Sequence, residues 1–310
     1  MSVDVVIPAY KPGEDLLDML EKLQKQTAPV QRIIVINTER DFFDEKLYKI
    51  ASNIEVTHIS GTEFDHAATR DMGMRMSSAD YVLFMTMDAV PCDEHLVENL
   101  MNGFNQEETK VAVSYARQLP KRGCRMAECY TREFNYPAES RLKTLSNLEE
   151  LGVKTFFCSD VCAMYDRKIY ASLGGFTERA IFNEDMIYAA KAVDAGYGIM
   201  YCADALVWHS HNYTCMEQFR RNFDMGVSQA EHPEVFERVS SESEGIKLVR
   251  KTAGYLVKHG HWYEVPYLII MSAFKYIGYK KGMKFRKLSI KKILKCTSNP
   301  EYWNIYDTKM

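Results

Sequence analysis

The chain reads as an α/β protein with a doubly wound, mainly parallel central sheet flanked by helices and a C-terminal helical extension. Three observations carry this. The first half alternates strand-length apolar runs with helix-length segments, the βαβαβ order of a parallel sheet. One run, Tyr81–Met85, is apolar without alternation, as a central strand covered on both faces requires. Beyond His209 the remaining pattern is helical. With 310 residues, 46% of them hydrophobic, the chain can bury a sizeable core.

In order, Val3–Ile7 reads as a strand and Lys11-Pro12-Gly13 as a turn. Asp15–Gln26 is an amphipathic helix with Leu16, Met19, Leu20 and Leu23 on one face. Arg32–Ile36 is a strand ending at Asn37-Thr38-Glu39. A helix near Phe43–Ile50 leads to the strand Ile54–Ile59, and a helix follows from Ala67 to Met76. After Tyr81–Met85 come a helix over Glu94–Phe104 and a strand over Val111–Tyr115. Residues 117–154 break the pattern: basic, carrying Tyr130, Phe134 and Tyr136, and without a long apolar run. Phe156–Tyr165 then reads as a strand and Gly174-Gly175-Phe176 as a tight turn. A helix runs from Asn183 to Ala195, two short strands cover Ile199–Tyr201 and Ala205–His209, and helices cover Glu217–Gln229 and Ile246–His259. The expected organisation is a domain over 1–230 with an insertion at 117–154, then a helical extension over 231–310.

Several classes are excluded. No G-x-G-x-x-G or P-loop follows the first strand, so neither dinucleotide nor ATP fingerprints apply. The amino terminus MSVDVVIPAY lacks a basic n-region and reads as a strand, and the apolar run Val265–Phe274 is too short to span a bilayer. Eight cysteines without zinc-site spacing read as free thiols in a reducing cytoplasm. The basic insertion carries no nucleic-acid recognition motif, so no nucleic-acid partner is expected.

Asp88 sits just past the carboxyl end of the Tyr81–Met85 strand, where open α/β sheets place their ligands. A carboxylate there can hold a divalent cation. Taken alone, it reads equally well as a loop or N-cap aspartate.

The landmarks VVIPAYKP, FDHAATRDMGM, LFMTMDAVP, GGF, FNEDM and VWHSHNYT, in that order, resemble the inverting family-two glycosyltransferases of GT-A fold. Within them ARQLP, FNYPAES, KTFFCSDVCAMYDR and the Thr86-Met87-Asp88 form of the metal motif are similar to bacterial rhamnosyltransferases, which use dTDP-L-rhamnose to extend cell-surface polysaccharides. The chain departs from the family's D-x-D at Thr86 and from its acidic turn at Asn37-Thr38-Glu39.

The resemblance implies a nucleotide-sugar donor, probed at Pro8, Tyr10, Thr38, Glu39, Asp65, Arg70, Thr86 and Asp88, with Arg221 of Gln218-Phe-Arg-Arg221 as a weakened phosphate motif. It implies Mn2+ or Mg2+ on Asp88, with His209 or His211 as a second ligand. On a strand these two histidines face the same way. Asp185 takes the position of the catalytic base, beside Glu184. The competing reading for both acids is first-turn helix electrostatics. The implied acceptor is a lipid-linked glycan, for which the aromatics of 117–154 are the expected platform. A UDP-hexose donor or a catalytically inactive sugar-nucleotide-binding module are the alternatives.

Charge is uneven. Between Lys275 and Lys295 there are nine Lys/Arg and no acid, leaving −12 on the rest of a chain of net charge −3. Ile269, Phe274, Ile277, Phe285, Leu288, Ile293 and Leu294 intersperse with those lysines. The pattern predicts a basic amphipathic segment on an anionic membrane surface, hence a peripheral protein at the cytoplasmic face. A homo-oligomer is left open.

Overall fold

In a computed structural model, the structure describes residues 1–238 and 242–304. The strands are β1 (Val3–Tyr10), β2 (Arg32–Thr38), β3 (Ile54–Ile59), β4 (Tyr81–Met85), β5 (Val90–Pro91), β6 (Val111–Leu119), β7 (Arg141–Lys143), β8 (Cys162–Asp166) and β9 (Gly198–Trp208). The helices are α1 (Glu14–Leu23), α2 (His66–Met76), α3 (Leu96–Asn102), α4 (Met126–Asn135), α5 (Leu148–Leu151), α6 (Arg167–Ser172), α7 (Glu184–Asp194), α8 (Cys215–Glu231), α9 (Pro233–Phe236), α10 (Glu242–Lys258), α11 (Val265–Gly282) and α12 (Ile290–Leu294).

These fall into two compact units. The first (Met1–Lys121, Tyr136–Arg179, Glu184–His209) holds the sheet, and the second (Arg122–Asn135, Ala180–Asn183, Ser210–Met310) is helical. The division differs from the expected one at 230: α4 and α8 go with the C-terminal helices. Residues 305–310 of the expected extension lie outside the described residues.

In the first unit the sheet order is β3-β2-β1-β4-β8-β6-β9-β5, with β7 also on β9. β1, β2, β3 and β4 are mutually parallel. β8 runs antiparallel to β4 and β6, and β9 is parallel to β6. The carboxyl ends of β1, β2, β4, β6 and β9 therefore share one edge, and so does the beginning of β8. The apolar runs fill the interior: Val5, Ile7, Ile33, Val35, Leu83 and Met85 are fully buried against Leu16, Met19 and Leu20 of α1. Gly73 lets α2 approach β1 closely, since a Cβ there would lie 2.3 Å from Val6 Cγ1. That approach sets the start of α2 at the same edge.

Three expectations shift. Gly152–Phe156 forms a 3-10 turn and the strand begins only at Cys162. Buried Lys143 takes the carbonyls of Lys154 (3.3 Å) and Phe157, together with the Tyr115 hydroxyl (3.1 Å), removing that segment from sheet pairing. The two short strands near 199–209 are one strand, β9. Its pairing slips from Ala116–Cys202 to Arg117–Leu206, so Ala203-Asp204-Ala205 bulge outward and imitate a turn in sequence. Finally, residues 40–49 form two 3-10 turns rather than a helix.

In the second unit, α8 and α11 pack backbone to backbone. A Cβ on Gly278 would come within 2.2 Å of Phe219 O, and one on Gly282 within 2.0 Å of Phe223 O. A separate core gathers Phe223, Val227, Phe285, Ile293, Tyr302 and Trp303. This corrects the amphipathic reading of the tail. Phe285 and Ile293 are buried in that core and Leu288 packs against it, because buried Asp224 anchors the returning chain through Thr297 Oγ1 (2.6 Å) and Ser298 N–H (2.8 Å). The aromatics of the insertion also turn inward. Tyr136 is buried and Tyr130 packs on Tyr255 at 4.6 Å, so neither offers the expected glycan platform.

Candidate active site and metal centre

β1 and β2 end side by side, pairing Tyr10 with Thr38. Pro8 is half-buried. Tyr10 is exposed, edge-on to Phe42 at 5.8 Å, and its N–H points at Met87 Sδ at 3.4 Å. The hydroxyls of Thr38 and Thr86 are buried without a hydrogen-bond partner. Orphaned hydroxyls at a sheet edge are what a bound polar ligand would satisfy. Glu39 has φ 64° and its Oε1 accepts the Gly61 N–H at 2.6 Å, so this carboxylate also braces the next loop. Asp65 is the N-cap of α2, accepting from Ala67 and Ala68 N–H, both at 2.9 Å. Burial raises its pKa against those two bonds.

Asp88 faces His209, Oδ2 to Nε2 3.6 Å. The far side of the ring fixes its chemistry. His209 Nδ1 lies 2.9 Å from Gln118 Oε1, while Gln118 Nε2 donates to the Tyr136 hydroxyl (2.6 Å) and Ser159 Oγ (3.0 Å). With its amide donors used, Gln118 presents an acceptor, so His209 carries its proton on Nδ1. The Nε2 lone pair is thereby aimed at Asp88, the arrangement typical of a metal-ligating imidazole. His211 follows two residues on. The ligand atoms of Asp88, His209 and His211 lie within 4.8 Å of one another, a group that could hold a metal ion.

Across the edge lies a buried charge cluster. Arg70 of α2 places Nη1 3.0 Å from Glu184 Oε1 and Nε 3.3 Å from Asp160 Oδ2. Asp160, just before β8, also accepts from the Tyr165 hydroxyl at 2.6 Å. Its N–H donates to Asp185 Oδ2 at 3.2 Å, and Met186 N–H donates to Asp185 Oδ1 at 2.7 Å. The backbone enters α7 through Asn183 in the left-handed region (φ 64°), which asparagine tolerates better than most residues. Three carboxyl groups thus share one nearby guanidinium, which is paired with Glu184 and Asp160 and not with Asp185. Desolvation, the Asp160 charge and the Glu184 charge push Asp185 well above the ordinary carboxyl range. Burial, opposed by Arg70, raises Asp160 to about 7.

The site therefore brings Pro8, Tyr10, Thr38, Glu39, Thr86, Asp88 and His209 to one edge of the sheet and ties Arg70, Glu184 and Asp185 together through Asp160. Arg70 was expected at the donor; here it contacts the Glu184 and Asp160 carboxylates and donates to the His66 carbonyl at 3.0 Å. Arg221 belongs to the second unit, stacked on Tyr213 (4.9 Å) and Phe182 (5.2 Å). Gln118 and Asp160 were not singled out from sequence. The available signal was a polar side chain at the end or the start of an otherwise apolar strand.

Residues 4–174 match the family described as glycosyl transferase family 2. The chain is 32% identical over 306 residues to "O-antigen chain rhamnosyltransferase RfbN" of Salmonella typhimurium, covering 98% of this chain and 96% of the relative. It is 33% identical over 307 residues to "O-antigen chain rhamnosyltransferase WbaN" of Salmonella anatum, with the same coverage. Among solved structures it is similar to the mannosyltransferase PcManGT from Pyrobaculum calidifontis in complex with GDP-Man and Mn2+ (TM-score 0.61, 14% identity, 92% of this chain and 88% of that one). It is also similar to S. aureus TarS 1-349 in complex with UDP (TM-score 0.51, 14% identity, 93% and 92%). At those identities the two structures speak to the fold, which is GT-A-like.

Proposed function

The chain belongs to glycosyl transferase family 2, and on that premise we propose that it transfers L-rhamnose from dTDP-L-rhamnose, with inversion, to a lipid-linked polysaccharide acceptor. The observation that carries the rhamnosyl assignment is identity above 30% with two O-antigen rhamnosyltransferases over 98% of the chain.

The reaction is a single displacement. The acceptor hydroxyl oxygen bonds to the anomeric carbon, the bond from that carbon to the diphosphate oxygen breaks, and dTDP leaves with the electron pair. Asp185 accepts the hydroxyl proton through its carboxylate, which sits at the start of α7 held by two backbone N–H groups. Glu184 and Asp160 hold Arg70 behind it. Thr38 and Thr86 offer their unpartnered hydroxyls to the nucleoside, and Tyr10 offers an exposed ring for the base. Asp88, His209 and His211 would hold the divalent cation. When bound, the cation supplies Lewis-acid stabilisation of the charge on the departing diphosphate. One carboxylate with two imidazoles favours Mn2+ over Mg2+, which prefers an all-oxygen shell.

The test is a donor screen with purified protein, a lipid-linked acceptor and added Mn2+. Turnover with dTDP-rhamnose is expected, lost by a factor of about 100 or more in Asp185→Asn. Turnover with a UDP-hexose and none with dTDP-rhamnose would overturn the donor. Undiminished activity of Asp185→Asn would remove it as the base.

The same proposal places the protein on the anionic inner face of the membrane. No helix among the described residues is long and apolar enough to cross one. What supports surface attachment is the outward face of α11 and the turn before it. Trp262, Tyr263, Ile269, Ile270, Tyr276 and Ile277 are each more than half exposed, and they recur in pairs every seven residues. Exposed Lys284, Arg286, Lys287, Lys291, Lys292 and Lys295 follow directly. An apolar stripe flanked by aromatic and basic side chains suits the interface of an anionic bilayer.

A further inference from the structure

The second unit contains a cleft whose cations make no close ion pair among the described residues. Arg125, Glu128, Tyr213, Gln218, Tyr267 and Lys275 line it. Arg125 Cζ lies over the Tyr267 ring at 4.6 Å, and Arg221 Cζ lies over Tyr213 at 4.9 Å. Neither guanidinium, nor the Lys275 ammonium, makes an ion pair or a side-chain hydrogen bond among the described residues. The two acids at the cleft are already occupied: Glu128 is held by Arg132 at 2.8 Å, and Glu264 lies 3.2 Å from the His261 ring. A guanidinium held over an aromatic face by cation–π attraction still has N–H donors to offer, and a fork of two such donors grips a phosphate oxygen pair. Lys275 is recessed in the same cleft. Desolvation depresses its pKa, Glu128 opposes this, and Arg132 and Arg221 add to the depression.

We propose that this cleft, built on Arg125 and Lys275 with Arg221 behind Tyr213, binds a phosphoryl group, and that the group is the one joining the acceptor glycan to its lipid. The identity of the source rests on the lipid-linked acceptor proposed above; the anion site itself does not. The placement is consistent along α11. Tyr267, Met271 and Lys275, one helical turn apart, face the cleft, while Ile269, Ile270, Tyr276 and Ile277 face outward. A lipid phosphate at a bilayer surface would meet the lysine as the lipid meets the stripe.

The experiment titrates inorganic pyrophosphate into the full-length protein without divalent cation or nucleotide, read by calorimetry. Saturable binding is expected, weakened about tenfold or more in Arg125→Gln and in Lys275→Met, as loss of one charge-assisted contact implies. Binding of dTDP in the presence of Mn2+ should be unchanged in both. Arg125 is exposed, so its variant tests the site even where the half-buried lysine variant fails to fold. Pyrophosphate binding that is absent, or unchanged in Arg125→Gln, overturns the site. A parallel loss of dTDP binding would assign the cleft to the donor and overturn the proposal. Two further arms separate the sources. Arg125→Gln should raise KM for a diphosphate-bearing acceptor about tenfold while leaving the same glycan without phosphate unaffected. If it lowers binding to phosphatidylglycerol vesicles and leaves the acceptor KM alone, the ligand is a membrane headgroup and the acceptor assignment falls. Absence of turnover with every acceptor would count against the proposed function, while pyrophosphate titration would still decide the anion site.

Discussion

Replacing Gln118 by leucine tests the metal centre without touching a ligand. Gln118 is 1% exposed and its Oε1 is the acceptor that keeps the His209 proton on Nδ1. Without that acceptor the proton is free to move to Nε2, where Asp88 Oδ2 lies 3.6 Å away. A cation would then have to drive the proton back and leave Nδ1–H buried with nothing to bond. Tautomer mixing alone costs only about twofold in affinity, roughly RT ln 2. The orphaned buried donor costs about 1–3 kcal/mol, or about 5- to 150-fold, and so dominates. That agrees with the 10- to 100-fold range found for the outer partners of metal-bound histidines. The assay is Mn2+ titration in the presence of dTDP, following free Mn2+ by electron paramagnetic resonance. Gln118→Glu is the control. Its carboxylate still accepts from Nδ1–H, and the Tyr136 and Ser159 hydroxyls can turn their protons toward it, so affinity should stay within about threefold. If Gln118→Leu binds Mn2+ within twofold of the unmodified protein, either His209 is not a ligand or its tautomer is set elsewhere.

The carboxyl cluster sets the pH dependence: Asp185 must be ionised to accept a proton, and its pKa is raised, so kcat/KM should climb with pH above the ordinary carboxyl range. Asp160→Asn removes one of the neighbouring charges responsible, so the acid limb should move to lower pH by about one unit; an unmoved limb would assign Asp160 a purely structural part. On the exposed stripe, Ile269→Asp with Ile270→Asp should abolish flotation with phosphatidylglycerol vesicles at unchanged fold and unchanged activity on a soluble acceptor. Retained flotation would place the membrane contact elsewhere. Gly278→Ala forces a Cβ toward the Phe219 carbonyl, 2.2 Å away, and should lower thermal stability by about 2–3 kcal/mol. A shift below 0.5 kcal/mol would mean that α8 and α11 separate easily.

How much of this was legible in the sequence follows from how far each feature depends on distant partners. β1, β2, β4 and α1 were readable because their apolar periods are local and each is buried against the others. Asp88, Asp185 and the His209–His211 pair were legible as candidates because order along the chain marks them. The late start of β8 was not, because it depends on Lys143 reaching carbonyls of Lys154 and Phe157, more than ten residues away. Gln118 and Asp160 were missed for the same reason. Each looks like an ordinary polar residue until β6, β8 and β9 come together and the neighbours of Gln118 become His209, Tyr136 and Ser159. Arg70 carried a motif signal, but the sequence could not say that two carboxylates from other segments would occupy it.

Helix α11 shows why a compositional signal led to the wrong faces. Its residues are apolar nearly all round, a pattern expected of a helix buried on every side. Instead three demands divide its circumference. Gly278 and Gly282 must be small to let the α8 backbone approach, so one face lacks side chains. Tyr267, Met271 and Lys275 line a cleft, and the last of these brings a charge into an apolar setting. Ile269, Ile270, Tyr276 and Ile277 are left with solvent in this structure. None of the three faces is polar enough to give the helix an amphipathic period, so the sequence reading spread the expected membrane contact over the whole basic tail. The proposed contact is confined to one stripe, and Phe285 and Ile293, which the same pattern had grouped with the stripe, belong to a core of their own. An exposed apolar stripe on a helix otherwise fully engaged has a cost in water that only an apolar or interfacial partner removes. The adjacent basic segment, without a single acid from 275 to 295, is why the proposed partner is anionic.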